Sequence, residues 1–480
     1  MASFLASLVL GFGVSAGHPA GVCFKTITEL ELKDKLEGFW VGQLVGNFMG
    51  LPFEFVYWDE PMPALPDRYY DEQSAREAGL RCNTDGRGSI PARLDELQSA
   101  YTDDDTDVEF VTLHAVEEHG LGITYPEIAA AWRTYVHIHV NGQDALWFAN
   151  KVARELMDRG MLPPSTGSQE HNLFWWTIDP QLVNEIWSAF HPGMLEKAVE
   201  RAEWGAEITS SSWGTHPTRF YAALYSAAFF ESDVQRLYDI AMRFIPESSP
   251  YLQGLQEVRS MYASQPEDWR STRQSIKEKY FQYPENCGGV PWENGVPWSN
   301  CGVSAMINGL MGAMALLYGG GDFMRTVGIA IAAGFDCDNQ AATLAGLLGV
   351  LHGGSQIPTA LTLDIAGNHW AEPFNDRYVN ERRPPLPRNN SNSEIVSRIM
   401  SVARTAILQH GGVEEGEGGN RLYQWQVSSV LCQDSPAPPP SSQPQGCCQG
   451  CIGRPFCSDG SKNCYDTKRK DYYRSCGPVR

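Results

Sequence analysis

The sequence predicts an all-α fold followed by a small disulfide-rich module, and three observations carry that expectation. Apolar residues recur at helical spacing over most of the chain up to about residue 410. Strand-like alternation is sparse, and no fixed-period repeat is present. Seven of the 12 cysteines crowd between Cys432 and Cys476, around a stretch rich in Pro, Ser and Gln. The chain has 480 residues, 42% of them apolar, which is enough for one large core. A formal net charge of −20 speaks against a general nucleic-acid binder, because phosphate contact needs a basic surface.

The first residues, 1–17, read as a secretory signal. An apolar run from Phe4 to Val14 leads to the small residues Ser15, Ala16 and Gly17, with cleavage expected near Ala16. A secreted or secretory-pathway protein follows from that, and Asn389 in "NNS" is then a glycosylation acceptor. No later run reaches the ~18 apolar residues that a membrane helix needs, so no span is expected.

A large helical domain is expected over residues 28–410. It opens with "TELELKDKLEGFWVGQLVGNFMG", where Thr28 and Glu31 form a capping-box pattern. Gly38, Gly42, Gly46 and Gly50 then recur every four residues. Each costs about 1 kcal/mol against Ala in a helix. Their spacing lays a smooth stripe on one face, where another backbone can come close.

Two acidic runs stand at predicted helix starts. "YTDDDTDVEF" holds Asp103, Asp104, Asp105 and Asp107. Acids suit the positive end of a helix dipole, so this run alone also reads as a solvated helix start. "GFDCDNQAATLAGLLGVLHG" holds Asp336, Asp338 and Asn339 between two apolar, small-residue stretches. Acids flanked by core-like sequence need cations or donors, because a bare buried charge is very costly. Hard cations such as Mg²⁺ take carboxylate, hydroxyl and amide oxygens. Two acidic helix starts meeting in a bundle could hold a pair of them.

Together "GFWVGQLVGNFMGLPFEF", "YTDDDTDVEF" and "GFDCDNQAATLAGLLGVLHG", in this order, resemble the ADP-ribosylglycohydrolase family. The resemblance implies an orthogonal all-α helical domain with two Mg²⁺ ions. It implies hydrolysis of a glycosidic bond to ADP-ribose, in a modified protein or a related small molecule. It places Asp103, Asp104, Asp105, Asp336, Asp338 and Asn339 at the metals, and Glu54 and Asp105 in catalysis. Val108, two residues after Thr106, favours a register in which Asp104 and Asp105 are the family aspartates. A second register uses Thr102, Asp103 and Asp104, and sets Asp107 where an apolar residue belongs. In the first, Asp107 points elsewhere and its loss would change little. Asn339 stands where the family has Thr, and Asn47 where it has Asp. His216 lies near a family His but out of register. Cys337 reads as a small buried filler.

Other readings stay open. "DDDTD" also fits the Asp-Asp-x-x-Asp diphosphate motif of terpene synthases, although "NDRYVNERR" fails as their second motif. An Asp-x-Asp phosphatase would want Thr where Gln340 stands. A secreted, non-catalytic relative, structural or ligand-binding, is the main rival.

Beyond the domain, residues 432–446 read as a linker, centred on "SPAPPPSSQPQG". Residues 447–480 form a Cys-rich module with seven Lys or Arg against three Asp. Its spacing matches no zinc finger, its disulfide pairing is open, and its partner is unknown.

Overall fold

The computed structural model describes residues 23–83, 94, 97–101, 103–281 and 301–433, and backbone segments 447–451, 454–457, 463–466 and 471–474. The expected signal, most of the linker, Thr102 and the side chain of Asp105 lie outside the described residues. A first compact unit ends at Leu431 and a second begins at Cys432.

The first unit is built of helices, as the patterning predicts. Helix α1 spans Glu29–Gly50, and the Thr28 hydroxyl caps it by accepting the Glu31 N–H at 3.0 Å. Helix α2, Asp104–His119, starts at the first acidic run. Helices α3, Ala305–Gly319, and α4, Phe323–Ala333, lead to α5, Cys337–His352, which starts at the second. Every residue of α3 is buried, as is every residue of α5 except its last. Helices apolar on all sides belong in the middle of a fold, and these two form its centre.

The glycine stripe of α1 lies against α5. A Cβ at Gly38 would sit 2.1 Å from the Gly349 carbonyl oxygen, and one at Gly42 2.4 Å from that of Ala345. At Gly46 it would meet the Ala341 oxygen at 2.0 Å, and at Gly50 the Cα of Asp338 at 2.3 Å. Partner numbers fall as the α1 numbers rise, so the helices run antiparallel. The end of α1 therefore meets the start of α5, where the second acidic run lies.

Two three-stranded sheets and a two-stranded pair, His139–Val140 with Gln143–Asp144, accompany the helices among the described residues. Strand β1, Cys23–Thr28, pairs antiparallel with Leu422–Val427, which also pairs with Val413–Glu415. Tyr423, Trp425 and Val427 alternate inward, and the Trp425 indole donates to the Pro192 carbonyl at 2.9 Å. The unit therefore runs past residue 410, where the domain was expected to end, because this last strand buries its inner face and closes on the first. The second sheet pairs Ala100–Tyr101 parallel with Tyr378–Val379, which pairs antiparallel with Asn389–Asn390.

Asp107, on α2, departs from expectation. It points away from the acidic cleft, but into the core: both it and Arg383 are fully buried, 2.7 Å apart. Burial pushes its carboxyl up to about 6, against the pull of Arg383. Arg383 also donates to the Ala145 carbonyl at 3.0 Å.

In the second unit, Cys447–Cys451 pairs with Arg454–Cys457 and Asn463–Asp466 with Asp471–Arg474, both antiparallel. Cys23, Cys301 and Cys432 are disulfide-bonded, whereas Cys82 and Cys337 are free thiols. Among the described residues no helix is long and apolar enough to cross a membrane.

Two substitutions probe this packing. Gly46→Ala forces a methyl into a backbone carbonyl and should cost about 1–3 kcal/mol or more in urea unfolding. Gly122→Ala, with nothing within 4 Å of its added Cβ, should stay within about 0.5 kcal/mol of wild type. Equal behaviour of the two would refute the backbone contact. Asp107→Ala strands the Arg383 charge in the core and should cost about 3–5 kcal/mol; a near-neutral result would mean that the pair is not buried in solution.

Candidate metal centre

Helix α1 runs into a 3₁₀ turn, Leu51–Phe53, and Glu54 follows. The next residue, Phe55, has a left-handed φ of 54°, and Phe335, just before Asp336, has one of 65°. The Phe55 N–H donates to the Phe335 carbonyl at 2.9 Å. Such backbone costs on the order of 1–3 kcal/mol per non-glycine residue and persists only where its surroundings enforce it. Buried Arg273 supplies the enforcement. Its guanidinium donates to the carbonyls of Tyr57, Trp58, Asp59 and Ala333 at 2.6–3.1 Å, tying the two loops together. Gly334, between them, has a φ of 81°, and a Cβ there would stand 1.5 Å from the Tyr57 carbonyl oxygen.

This construction brings three acids together. Glu54, Asp336 and Asp338 each offer a carboxylate oxygen within 4.8 Å of the others. Asp338 is 4% exposed, and its Oδ1 has no hydrogen-bond partner. Burial, then the charges of Glu54 and Asp103, push its carboxyl well above the usual range, against a hydrogen bond with Asp336.

Asp103 and Asp104 line the same cleft. They are the pair that the second register takes as the family aspartates. Asp103 caps α2, its Oδ1 accepting the Asp104 N–H at 2.9 Å. Its Oδ2 accepts from Asn47 Nδ2 at 3.3 Å. Arg382 Nη1 lies 2.7 Å from Asp103 Oδ1 and 3.6 Å from Asp104 Oδ1. Thr106 is buried and reaches the Tyr378 hydroxyl at 3.3 Å instead.

Leu51, Phe55, Trp147, Phe148, Leu182 and Val303 form apolar walls around these acids. The cleft has a cavity volume of about 130 Å³. Asp179 also lines it. It accepts from the Asn150 N–H at 3.0 Å and the Thr177 hydroxyl at 2.6 Å, and burial pushes its carboxyl up to about 6.

Asn339, expected at the metals, is not among the residues lining the cleft. Its carbonyl accepts from Gln340 Nε2 at 2.9 Å and Gln181 Nε2 at 3.4 Å, within a buried amide network. It follows Asp338 by one residue, and a helix turns neighbouring side chains about 100° apart. Asp105 is in α2, but its side chain lies outside the described residues. His216 bonds to the Ser249 hydroxyl at 2.7 Å and is not among the lining residues. Cys337 is fully buried, its thiol 3.7 Å from the Gly50 carbonyl and pushed well up by burial and neighbouring acids. Asp179, Arg273 and Arg382 were not foreseen. The only local signal was the basic pair Arg382–Arg383 in an acidic chain.

Asp179 makes a pH test. Its folded carboxyl is raised from about 3.8 to about 6. Between those values the folded chain holds a proton that the unfolded chain releases, so this residue's contribution to stability is lost as pH rises. In chelator, Asp179→Asn should therefore gain stability on wild type from pH 4 to pH 6. A pH-independent difference between the two would contradict the shift.

The family model described as ADP-ribosylglycohydrolase matches residues 28–387. One solved structure, named "ADP-ribosylglycohydrolase-related protein complex", is 14% identical, with a TM-score of 0.45, and the match covers 78% of this chain and 99% of that one. No curated protein sequence matches the chain. The family match spans well over half of the chain and takes in the glycine stripe, both acidic runs and Glu54: the chain belongs to the ADP-ribosylglycohydrolase family.

Proposed function

We propose that this protein is a Mg²⁺-dependent hydrolase that cleaves a glycosidic bond to ADP-ribose, on a modified protein side chain or a related small molecule. Family membership suggests glycohydrolase activity on ADP-ribose compounds. One observation carries the metal dependence: three carboxylates converge within 4.8 Å, and the buried Asp338 Oδ1 among them lacks a partner. An oxygen donor set of this kind suits a hard divalent cation. Glu54, Asp336 and Asp338 would hold it. When bound, it would supply a positive charge able to orient the ribose hydroxyls.

The remaining chemistry falls to the chain itself. Glu54 is half-buried at the cleft, where a carboxylate can activate water or protonate the leaving group. Asp105 is kept as a second candidate for proton transfer. Trp147 and Phe148 offer flat apolar faces of the kind that hold a ring system. The apolar walls exclude bulk water, which strengthens charge interactions inside. A non-catalytic relative is the second reading, supported by the Asn339 carbonyl turning to Gln340 and Gln181 rather than lining the cleft.

Secretion is proposed as well. Disulfides at Cys23, Cys301 and Cys432 suit an oxidising compartment, and Asn389 is exposed for glycosylation.

The metal reading has a thermal test. Mg²⁺ at 100 times its Kd should stabilise the wild type by about 2.7 kcal/mol, seen as a raised Tm. Asp338→Asn removes a buried carboxylate oxygen that lacks a partner. It should melt higher than wild type in chelator and gain little from Mg²⁺. A variant that keeps the full Mg²⁺ shift would remove Asp338 from the site. Activity is read as Mg²⁺-dependent release of ADP-ribose from arginine-linked, serine-linked and free derivatives. Binding of Mg²⁺ without release from any of them would establish the non-catalytic relative.

A further inference from the structure

We propose that Arg382 takes the place of a second cation, so that the acidic cleft binds one divalent ion rather than two. This rests on the metal-dependent reading above and fixes its stoichiometry.

Apart from Asp179, which is hydrogen-bonded to Asn150 and Thr177, the described acids of the cleft fall into two groups. In the first, Glu54, Asp336 and Asp338 converge, and the buried Asp338 Oδ1 has no partner. In the second, Asp103 and Asp104 already face a positive charge, because Arg382 Nη1 stands 2.7 and 3.6 Å from their carboxylates. Both oxygens of Asp103 are engaged. Oδ1 accepts from Arg382 and from the Asp104 N–H, and Oδ2 accepts from Asn47 Nδ2. A metal ion bound there would compete with these donors and lie beside a guanidinium, which stays charged at any working pH.

Arg382 is a built part of the cleft, and four features hold it. The parallel register Ala100↔Tyr378, Tyr101↔Val379 carries the chain after Val379 alongside the first acidic run. The Asn380 side chain pins the following turn, accepting the Arg383 N–H at 2.9 Å and donating to the Arg383 carbonyl at 3.1 Å. Arg383 itself is anchored in the core on Asp107. The Arg382 guanidinium lies over the Trp147 ring, 5.4 Å from its centroid, and its side chain is 19% exposed.

Asn47 fits the same arrangement. An acid at this position would add a negative charge beside Asp103 and call for a further cation. The amide donates instead, and completes a group of acids already balanced by an arginine.

The test counts ions on the full chain, using Mg²⁺ in isothermal titration calorimetry and Mn²⁺ in electron paramagnetic resonance. Wild type should bind one ion per chain, with an uncoupled Mn²⁺ spectrum. Arg382→Gln should bind two, with the spectrum of a spin-coupled pair. Arg382→Lys keeps the charge and should still bind one. Two ions in wild type would overturn the inference and leave the hydrolase reading intact. One ion in both wild type and Arg382→Gln would overturn it too, since the arginine would then exclude nothing. No ion in wild type would instead sink the metal-dependent reading itself. The wild-type count decides the stoichiometry even if the glutamine variant fails to fold.

Discussion

The backbone-to-backbone contact of α1 with α5 is the constraint on which the cleft depends. Four glycines on α1 meet Gly349, Ala345, Ala341 and Asp338 at distances that no side chain could share. Each glycine weakens α1 by about 1 kcal/mol against Ala, and tight packing along the length of both helices offsets that loss. The return is positional. Gly50 abuts Asp338, so the end of one helix and the start of the other are held at fixed separation. Glu54 and Asp336 then branch from these two ends. A pair of helices kept apart by ordinary side chains, at about 8–10 Å between axes, would splay the same acids beyond the reach of one ion.

Holding the acids together is a second task, and the strained pair Phe55–Phe335 performs it. Each left-handed residue adjoins an acid of the cluster, and the two share a backbone hydrogen bond. Three carboxylates at such range repel, and the loops that carry them would drift apart without a tether. Arg273 is that tether. It donates to four main-chain carbonyls and is not among the residues lining the cleft, so it closes the loops without facing the cluster. Charge repulsion at the site is thus opposed by a cation that stays out of it.

The sequence carried the architecture well because the relevant signals are local. A glycine every fourth residue, a capped helix start and an apolar α3 each declare their role within one or two turns. The acidic runs were legible for the same reason: charge amid core-like sequence demands compensation. What compensates it was not legible. Asp107 reads as one more acid of an acidic helix start, and nothing within α2 reveals that its partner arrives from Arg383. Asn339 carries the right oxygen, yet a helix turns successive side chains about 100° apart, and its carbonyl faces Gln181 from a distant segment. Arg382 lies far along the chain from Asp103, and only the parallel pairing of two short strands brings them together. The pairing of the closing strand Leu422–Val427 with the opening strand, which carries the domain past residue 410, is likewise a long-range fact.

Compensation by long-range arginines has a consequence for how the cleft handles charge. Arg383 and Arg382 are neighbours in sequence but serve opposite environments. Arg383 neutralises Asp107 in a fully buried pair, where losing either partner leaves a bare charge in the core. Arg382, one residue earlier, faces the cleft and balances Asp103 and Asp104 at its wall. The turn pinned by Asn380 couples the two, so the buried pair fixes the position of the cleft-facing one. A positive charge supplied this way cannot dissociate, and it cannot be titrated away at working pH. Among the described acids, Glu54, Asp336 and Asp338 are then the group that the proposed single ion would balance, and the buried Asp338 Oδ1 there has no hydrogen-bond partner. On the one-ion proposal, a cleft arranged so would keep one side permanently neutralised and leave the other to respond to ion concentration.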